Sequence, residues 1–329
     1  MRKVIIDCDP GIDDSIALML ALASPELEIL GITTISGNIE VNACTENAFQ
    51  TLQLMGRADI PVYKGAAVPL KREFHDATDT HGEDGLGETR LPKTGLVAKE
   101  MKACDYMLEI IKKYPGEITL IALGPLTNVA LAIRKDIETM KQVKEFIVMG
   151  GADQFHGNCS PVTEFNFWVD PEAAAEVFDS GFAKAKMVGL DVTHDIIFSP
   201  NLREVVNQIG GRKGKYIHDI TRFYVDFHWV QERTLGCVIN DPLVIAMLLD
   251  DNLITFDDAY VEIETEGIAD GQSVCDAGGR HHQGKINACI AHTVDTRRFF
   301  ELLFTRLFPD RAEDIELSLE REYGKKIGG

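Results

Sequence analysis

The opening of the chain, Lys3 to Ala23 (KVIIDCDPGIDDSIALMLALA), constrains the fold more than any other stretch. The apolar run Val4-Ile5-Ile6 leads into Asp7, Cys8, Asp9, Pro10 and Gly11; Asp13 and Asp14 follow, and then the apolar segment Ile16 to Leu22. The pattern predicts a buried parallel strand, a tight Pro-Gly turn and a helix. Residues two apart on an extended chain point the same way, so Asp7 and Asp9 share a direction. Asp13 and Asp14 fall in the first helical turn, where backbone N–H groups favour anions.

Four carboxylates within eight residues raise one another's pKa values unless a cation lies among them. A hard divalent metal with oxygen ligands resolves the repulsion. The alternative is a solvated acidic turn, since helix starts often carry Asp. Capping accounts for one of these carboxylates, at most two. The position favours a site, because open α/β sheets bind ligands beyond the C-terminal ends of their strands.

The chain has 329 residues, enough for one large domain or two small ones. It shows no internal repeat, low-complexity tract or linker, so residues 1–329 read as a single domain. A net charge of −19 counts against nucleic-acid or anionic-membrane binding. Seven cysteines without a C-x-x-C pair point to a reducing compartment rather than a disulfide framework. The N-terminus runs straight into the first strand without a signal peptide, and no apolar stretch reaches the length of a membrane span. A soluble, cytoplasmic protein is expected.

Strand and helix signals alternate along the chain. Glu28 to Ile35 reads as a buried strand ending in Ser36-Gly37-Asn38, which taken alone is only a turn. A helix over Asn42–Leu54 and a short strand at Ile60–Tyr63 follow. Lys71 to Gly95 reads as a long loop holding His81-Gly82-Glu83-Asp84-Gly85-Leu86-Gly87; loops this long often act as lids. Next come a helix over Ala98–Lys113, a strand Ile118–Leu123, its exit turn Gly124-Pro125-Leu126-Thr127-Asn128, and a helix over Val129–Arg134. The strand Phe146–Met149 ends at Gly150-Gly151. Beyond it, Asn158, Glu164 and Asn166 on one irregular loop offer mixed donors and acceptors suited to a polyol such as ribose. Lys186–Leu190 is a further strand. The helix Tyr216–Arg233 carries Phe223, Tyr224, Phe227, His228 and Trp229. Such a stripe is more often core than binding surface, but here it precedes the last motif, Asn240-Asp241-Pro242, and could stack on a planar base. Gly267 to Ala288 is polar and reads as a strand pair and turn outside the main sheet. An apolar helix over Arg297–Leu307 closes the fold, with a charged tail after Pro309 packed loosely. The fold class is α/β: an open, mostly parallel, doubly wound (Rossmann-like) sheet with flanking helices and a small β excursion near residues 260–292.

The acidic opening can be set against two enzyme families. Haloacid-dehalogenase phosphatases use D-x-D-x-T/V; Gly11 stands at the fifth position here, which argues against an Asp-nucleophile phosphatase. The nucleoside hydrolases open D-x-D-x-G-x-D-D, and the chain resembles that pattern at Asp7, Asp9, Gly11, Asp13 and Asp14. The resemblance continues in order through Gly37-Asn38, His81 to Gly87, Gly124 to Asn128, Met149-Gly150-Gly151, Asn158 to Asn166 and Asp241-Pro242. So extended a match is more specific than any single motif.

The resemblance implies hydrolysis of the N-glycosidic bond of ribonucleosides to ribose and free base, a role in purine or pyrimidine salvage, one tightly bound Ca²⁺, and a homodimer or homotetramer. By position it implies that Asp9, Asp14, the Thr127 carbonyl and Asp241 hold the metal, with Asp9 the base that activates a Ca²⁺-bound water. Asp13, Asn38, Asn158, Glu164, Asn166 and Asp241 would surround the ribose, Met149 and Phe165 would pack on it, and Asp7 would support the cluster from behind. These residue types suit the chemistry, since glycosidic cleavage develops positive charge on the sugar. One departure stands out. Many members carry His immediately before the Asp-Pro as leaving-group acid; here Asn240 faces the substrate and can donate a hydrogen bond but not a proton. His228 is the first candidate for the missing acid and His81 the second, with Glu232 or Tyr224 behind them. Asn240 also leaves open a nucleoside- or ribose-binding protein with weakened turnover.

Overall fold

The computed structural model describes residues 1–325. Its first half runs β1 (Arg2–Cys8), α1 (Ile12–Leu22), β2 (Leu27–Thr34), α2 (Val41–Leu54), β3 (Val62–Lys64), α3 (Thr78–His81), α4 (Ala103–Lys113), β4 (Ile118–Ala122), α5 (Thr127–Met140) and β5 (Glu145–Met149). There follow α6 (Phe165–Val169), α7 (Pro171–Asp179), β6 (Ala185–Val188), α8 (Leu190–Thr193), β7 (Ile197–Phe198), α9 (Pro200–Ile209), α10 (Gly211–Glu232), β8 (Cys237–Val238) and α11 (Asp241–Met247). The chain finishes with β9 (Ile254–Ile263), β10 (Ser273–Ala277), β11 (Ala288–Val294), α12 (Thr296–Leu307) and α13 (Ala312–Tyr323).

Nine strands form one sheet in the order β10-β9-β11-β6-β5-β4-β1-β2-β3. From β3 to β11 neighbouring strands are parallel, and β9 runs antiparallel to both β11 and β10. Strands β7 and β8 form a separate antiparallel pair. Side chains of β1 alternate between two cores: Val4, Ile6 and Cys8 join α1, α11 and α12, whereas Ile5 joins α4, α5 and α7. Burial on both faces explains why the strands read as continuous apolar runs. Helix α1 is buried along Ile12–Ala21, so it is apolar all round rather than on one stripe.

The doubly wound α/β reading holds, with corrections to its edges. The polar segment after Gly267 is not outside the main sheet. Small apolar residues (Ala259, Val261, Ala288, Ile290) are buried in β9 and β11, and β11 pairs with β6 and continues the sheet. The polar residues that suggested an excursion sit in the connecting turns. The tail after Pro309 is not loose: Ile315 and Leu319, four apart in α13, are buried against the body. Helix α4 begins at Ala103, not Ala98. Helix α5 begins at Thr127 and breaks at Asp136. Glu164 to Asn166 is the capped start of α6 rather than irregular loop.

Candidate active site

The strand order reverses between β1 and β4, and at such a switch point the two exit turns diverge and leave a crevice. Asp9 leaves β1 there, between the exit turns of β2 and β4. A Cβ on Gly37 or on Gly124 would collide with the Asp9 carboxylate, so both motif glycines serve close approach rather than turn geometry. The Asn38 backbone N–H donates to Asp9 Oδ2 at 2.7 Å. Asp9 Oδ1 is buried without a partner among the described residues.

The other carboxylates gather around it. Asp14 Oδ1 accepts from the Asp9 N–H at 3.2 Å, and its Oδ2 accepts from the Gly11 N–H and Asn38 Nδ2, each at 3.0 Å. Asp13 Oδ2 accepts from the backbone N–H and Nδ2 of Asn240, each at 3.1 Å. Oxygens of Asp13, Asp14 and Asp241 lie within 4.8 Å of one another. Burial, then the Asp14 charge, pushes the Asp9 carboxyl well above its usual range. Burial, then Asp14 and Asp13, does the same to Asp241. Asp14 is pushed up to about 7 by burial and Asp13. Asp7 lies behind the cluster, its Oδ1 accepting from Thr33 Oγ1 at 2.6 Å and Asn128 Nδ2 at 2.8 Å. Thr127 opens α5 with its hydroxyl donating to Asp170 Oδ2 at 2.6 Å, so its side chain is occupied.

Asp13 and Asp241 border a cavity of about 460 Å³, which Asn38, Met149, Asn158, Glu164, Phe165, Asn166 and Asn240 also line. Every residue expected around the ribose is therefore brought together, while Asp9, Asp14 and Thr127 lie outside the cavity lining. Backbone bonds fix the polar side chains. Asn166 Nδ2 donates to the carbonyls of Leu123 at 2.8 Å and Met149 at 3.1 Å. Asn158 Oδ1 accepts from the Phe165 N–H at 2.9 Å. Glu164 caps α6 and accepts from the Gly151 N–H at 2.9 Å and the Asn166 N–H at 3.0 Å; burial still pushes it up to about 7.

The two candidate histidines both line the cavity, but their protons are placed by the backbone. His81 Nδ1 accepts from the Ile12 N–H at 3.1 Å, which leaves its proton on Nε2. His228 Nδ1 donates to the Tyr224 carbonyl at 2.8 Å, and its Nε2 accepts from the Val238 N–H at 3.4 Å. Both His228 nitrogens are thus occupied. Burial lowers the pKa of both rings. The first-choice acid, His228, has no free proton to deliver in this arrangement. The Lys71–Gly95 segment supplies Asp76 to His81 to one wall. It is fastened by Arg72 to Glu172 and Asp270 and by the Asp84 carbonyl, which accepts from Asn47 Nδ2.

Sequence reasoning missed several lining residues, among them His156, Trp168 and His194. His194 is the C-cap of α8, beyond the end of β6 rather than at it, so the strand-end rule does not single it out. Nothing local marked His156 or Trp168 either.

Comparisons with known proteins point to one family. A family model described as inosine-uridine preferring nucleoside hydrolase matches residues 4–301. Uridine nucleosidase 1 of Arabidopsis thaliana is 37% identical over 313 residues, 93% of each chain. A pyrimidine-specific ribonucleoside hydrolase of Salmonella arizonae is 38% identical over 310 residues, 92% of this chain and 97% of that one. A solved plant nucleoside hydrolase superposes with a TM-score of 0.89 at 36% identity, covering 93% of this chain and 99% of its own. A purine-preferring ribonucleoside hydrolase from Gardnerella vaginalis has the same TM-score at 31% identity, covering 95% and 100%. The chain belongs to the nucleoside hydrolase family.

Proposed function

We propose that the protein hydrolyses the N-glycosidic bond of ribonucleosides, releasing ribose and free base, with one Ca²⁺ at the acidic cluster. The observation that carries this reading is the unpartnered Asp9 Oδ1, buried among carboxylates beneath a cavity lined with ribose-type partners. The donor set suits a hard cation: it is all oxygen, and its mutual repulsion is otherwise uncompensated. Asp9, Asp14, Asp241 and the Thr127 carbonyl would hold the ion. When bound, Ca²⁺ would supply charge neutralisation and orient hydroxyl and water oxygens.

The chain's own residues account for the rest. Asp9 keeps Oδ2 on the Asn38 N–H and leaves Oδ1 free to take a proton from the attacking water. Asp13 and Asp241 place negative charge beside the sugar, where positive charge develops. Asn158, Glu164 and Asn166 orient the hydroxyls, and Met149 and Phe165 present apolar surface. His81 offers its Nε2–H, and Tyr224 a phenol that burial and Asp13 keep protonated. The base therefore leaves on hydrogen bonds from neutral donors rather than by transfer from an imidazolium. The same reading includes a homodimer or homotetramer, which sedimentation of the purified protein would count.

The test is ribose release from inosine, adenosine, guanosine, uridine and cytidine, with and without chelator and with Ca²⁺ restored. Calcium-dependent release from any of them supports the reading. Nucleoside binding without release would favour the second reading, a binding protein, which Asn240 alone keeps in view.

A further inference from the structure

A second polar group borders the cavity away from the acidic cluster. Glu232 ends α10, and its Oε1 accepts from His194 Nε2 at 3.2 Å. Both side chains line the cavity, and Glu232 keeps 22% exposure, enough for a ligand to reach it. His194 is held against Phe155, ring centroids 4.3 Å apart. Its Nδ1 is buried with no partner among the described residues. The His194 bond holds the Glu232 carboxyl below its usual range. No described residue bonds to Glu232 Oε2. A charged, oriented acceptor is left beside the ligand space.

Helix geometry places it relative to the sugar. Tyr224, Phe227, His228, Gln231 and Glu232 all line the cavity, at the spacing of one helix face. Tyr224 marks the acidic end: its ring lies 5.2 Å from that of His81, which bonds to the start of α1. Glu232 lies roughly 12 Å farther along the axis, its side chain leaning back toward Tyr224. A ribose on the acidic floor would send its base along this stripe and bring the far edge of the base toward Glu232.

We infer that Glu232, positioned by His194, reads that edge and selects nucleobases presenting a ring N–H there. Uracil does so with N3–H, and hypoxanthine and guanine with N1–H. Cytosine and adenine present a bare ring nitrogen, whose lone pair would face a group that only accepts. This assignment rests on the ribonucleoside reading of the site.

The experiment compares kcat/KM for uridine, cytidine and 3-methyluridine, with inosine and 1-methylinosine as the purine pair. Wild-type protein should favour uridine over cytidine and over 3-methyluridine by about tenfold or more, the effect of covering Glu232 Oε2 with a base that offers it no donor. Glu232→Ala and His194→Ala should each shrink that ratio to about threefold or less, as loss of one charge-assisted hydrogen bond would. Glu232→Gln, which can donate as well as accept, should move it toward cytidine. Equal wild-type use of uridine and cytidine overturns the assignment without any variant having to fold. Turnover of uridine at a ratio unmoved by both alanine variants also overturns it and leaves the hydrolase standing. Release from no nucleoside overturns the hydrolase reading itself.

Discussion

At the scale of single residues, the proposed mechanism rests on the separation of the two oxygens of one carboxylate. Asp9 Oδ2 is tied to the Asn38 N–H, and Oδ1 is left bare by two glycines that permit the approach of three exit turns. Asp9→Asn should lower kcat by about 10²–10⁴, the range for a lost general base, in steady-state assays of ribose release. The histidines differ in what they can offer. His81 keeps a proton free on Nε2 while His228 spends both nitrogens on the backbone. His81→Ala should therefore cost more in kcat than His228→Ala; the reverse order would restore His228 as donor. Glu164 provides a pH signature. Its carboxyl is raised from 4.5 to about 7 by burial. Between those values the folded chain keeps a proton that the unfolded chain has released. Stability therefore falls as pH rises through that window and levels off above it, by about 3 kcal/mol in all. Urea unfolding of the chelated protein should show that slope weakened in Glu164→Gln, while the buried Asp carboxyls contribute equally to both proteins.

At the scale of elements, helix starts hold the strand exits in place. Asp170 caps α7, and its carboxylate accepts from Thr127 Oγ1, the Leu70 N–H at 2.8 Å and the Ala173 N–H at 3.1 Å. One side chain thus joins the β4 exit, the start of the Lys71–Gly95 segment and α7. Asp170→Ala would strand these donors in a buried place. A loss of roughly 3 kcal/mol or more is expected from denaturant titration, since each unsatisfied group costs about 1–3 kcal/mol. Activity should fall with it, because the Thr127 carbonyl is one of the proposed metal ligands. A change under about 1 kcal/mol would mean that water replaces the carboxylate.

At the scale of the whole molecule, the packing of α11 against α1 brings Asp241 to Asp13 and Asp14 across more than two hundred residues of chain. Closing these carboxylates on one another opposes folding until a cation joins them. Ca²⁺ bound to the folded state alone should stabilise by about 2.7 kcal/mol at a hundred times its Kd. Thermal unfolding should therefore rise by a few degrees on adding Ca²⁺ and fall again with chelator. Asp9→Asn should blunt the response. A melting temperature indifferent to both additions would count against a resident cation. No helix among the described residues is long and apolar enough to cross a membrane.

The acidic turn and the alternation of strand and helix could be read from the chain alone, and the resemblance to the nucleoside hydrolases pointed to most of the polar cavity-lining residues. The first two rest on local chemistry: apolar runs of strand length, Pro-Gly and Gly-Asn turns, and carboxylates at a helix start. The tertiary structure decided what depends on distant partners. It placed β9 to β11 in the main sheet, because pairing with β6 is a contact between segments a hundred residues apart. It buried Ile315 and Leu319 of a tail that looked merely charged. It also set the histidine protons, since a ring's tautomer follows whichever backbone group it meets, and the N–H of Ile12 and the carbonyl of Tyr224 impose opposite choices on His81 and His228. His156, Trp168 and His194 reach the cavity from three separate turns and helices, so their convergence belongs to packing rather than to any motif.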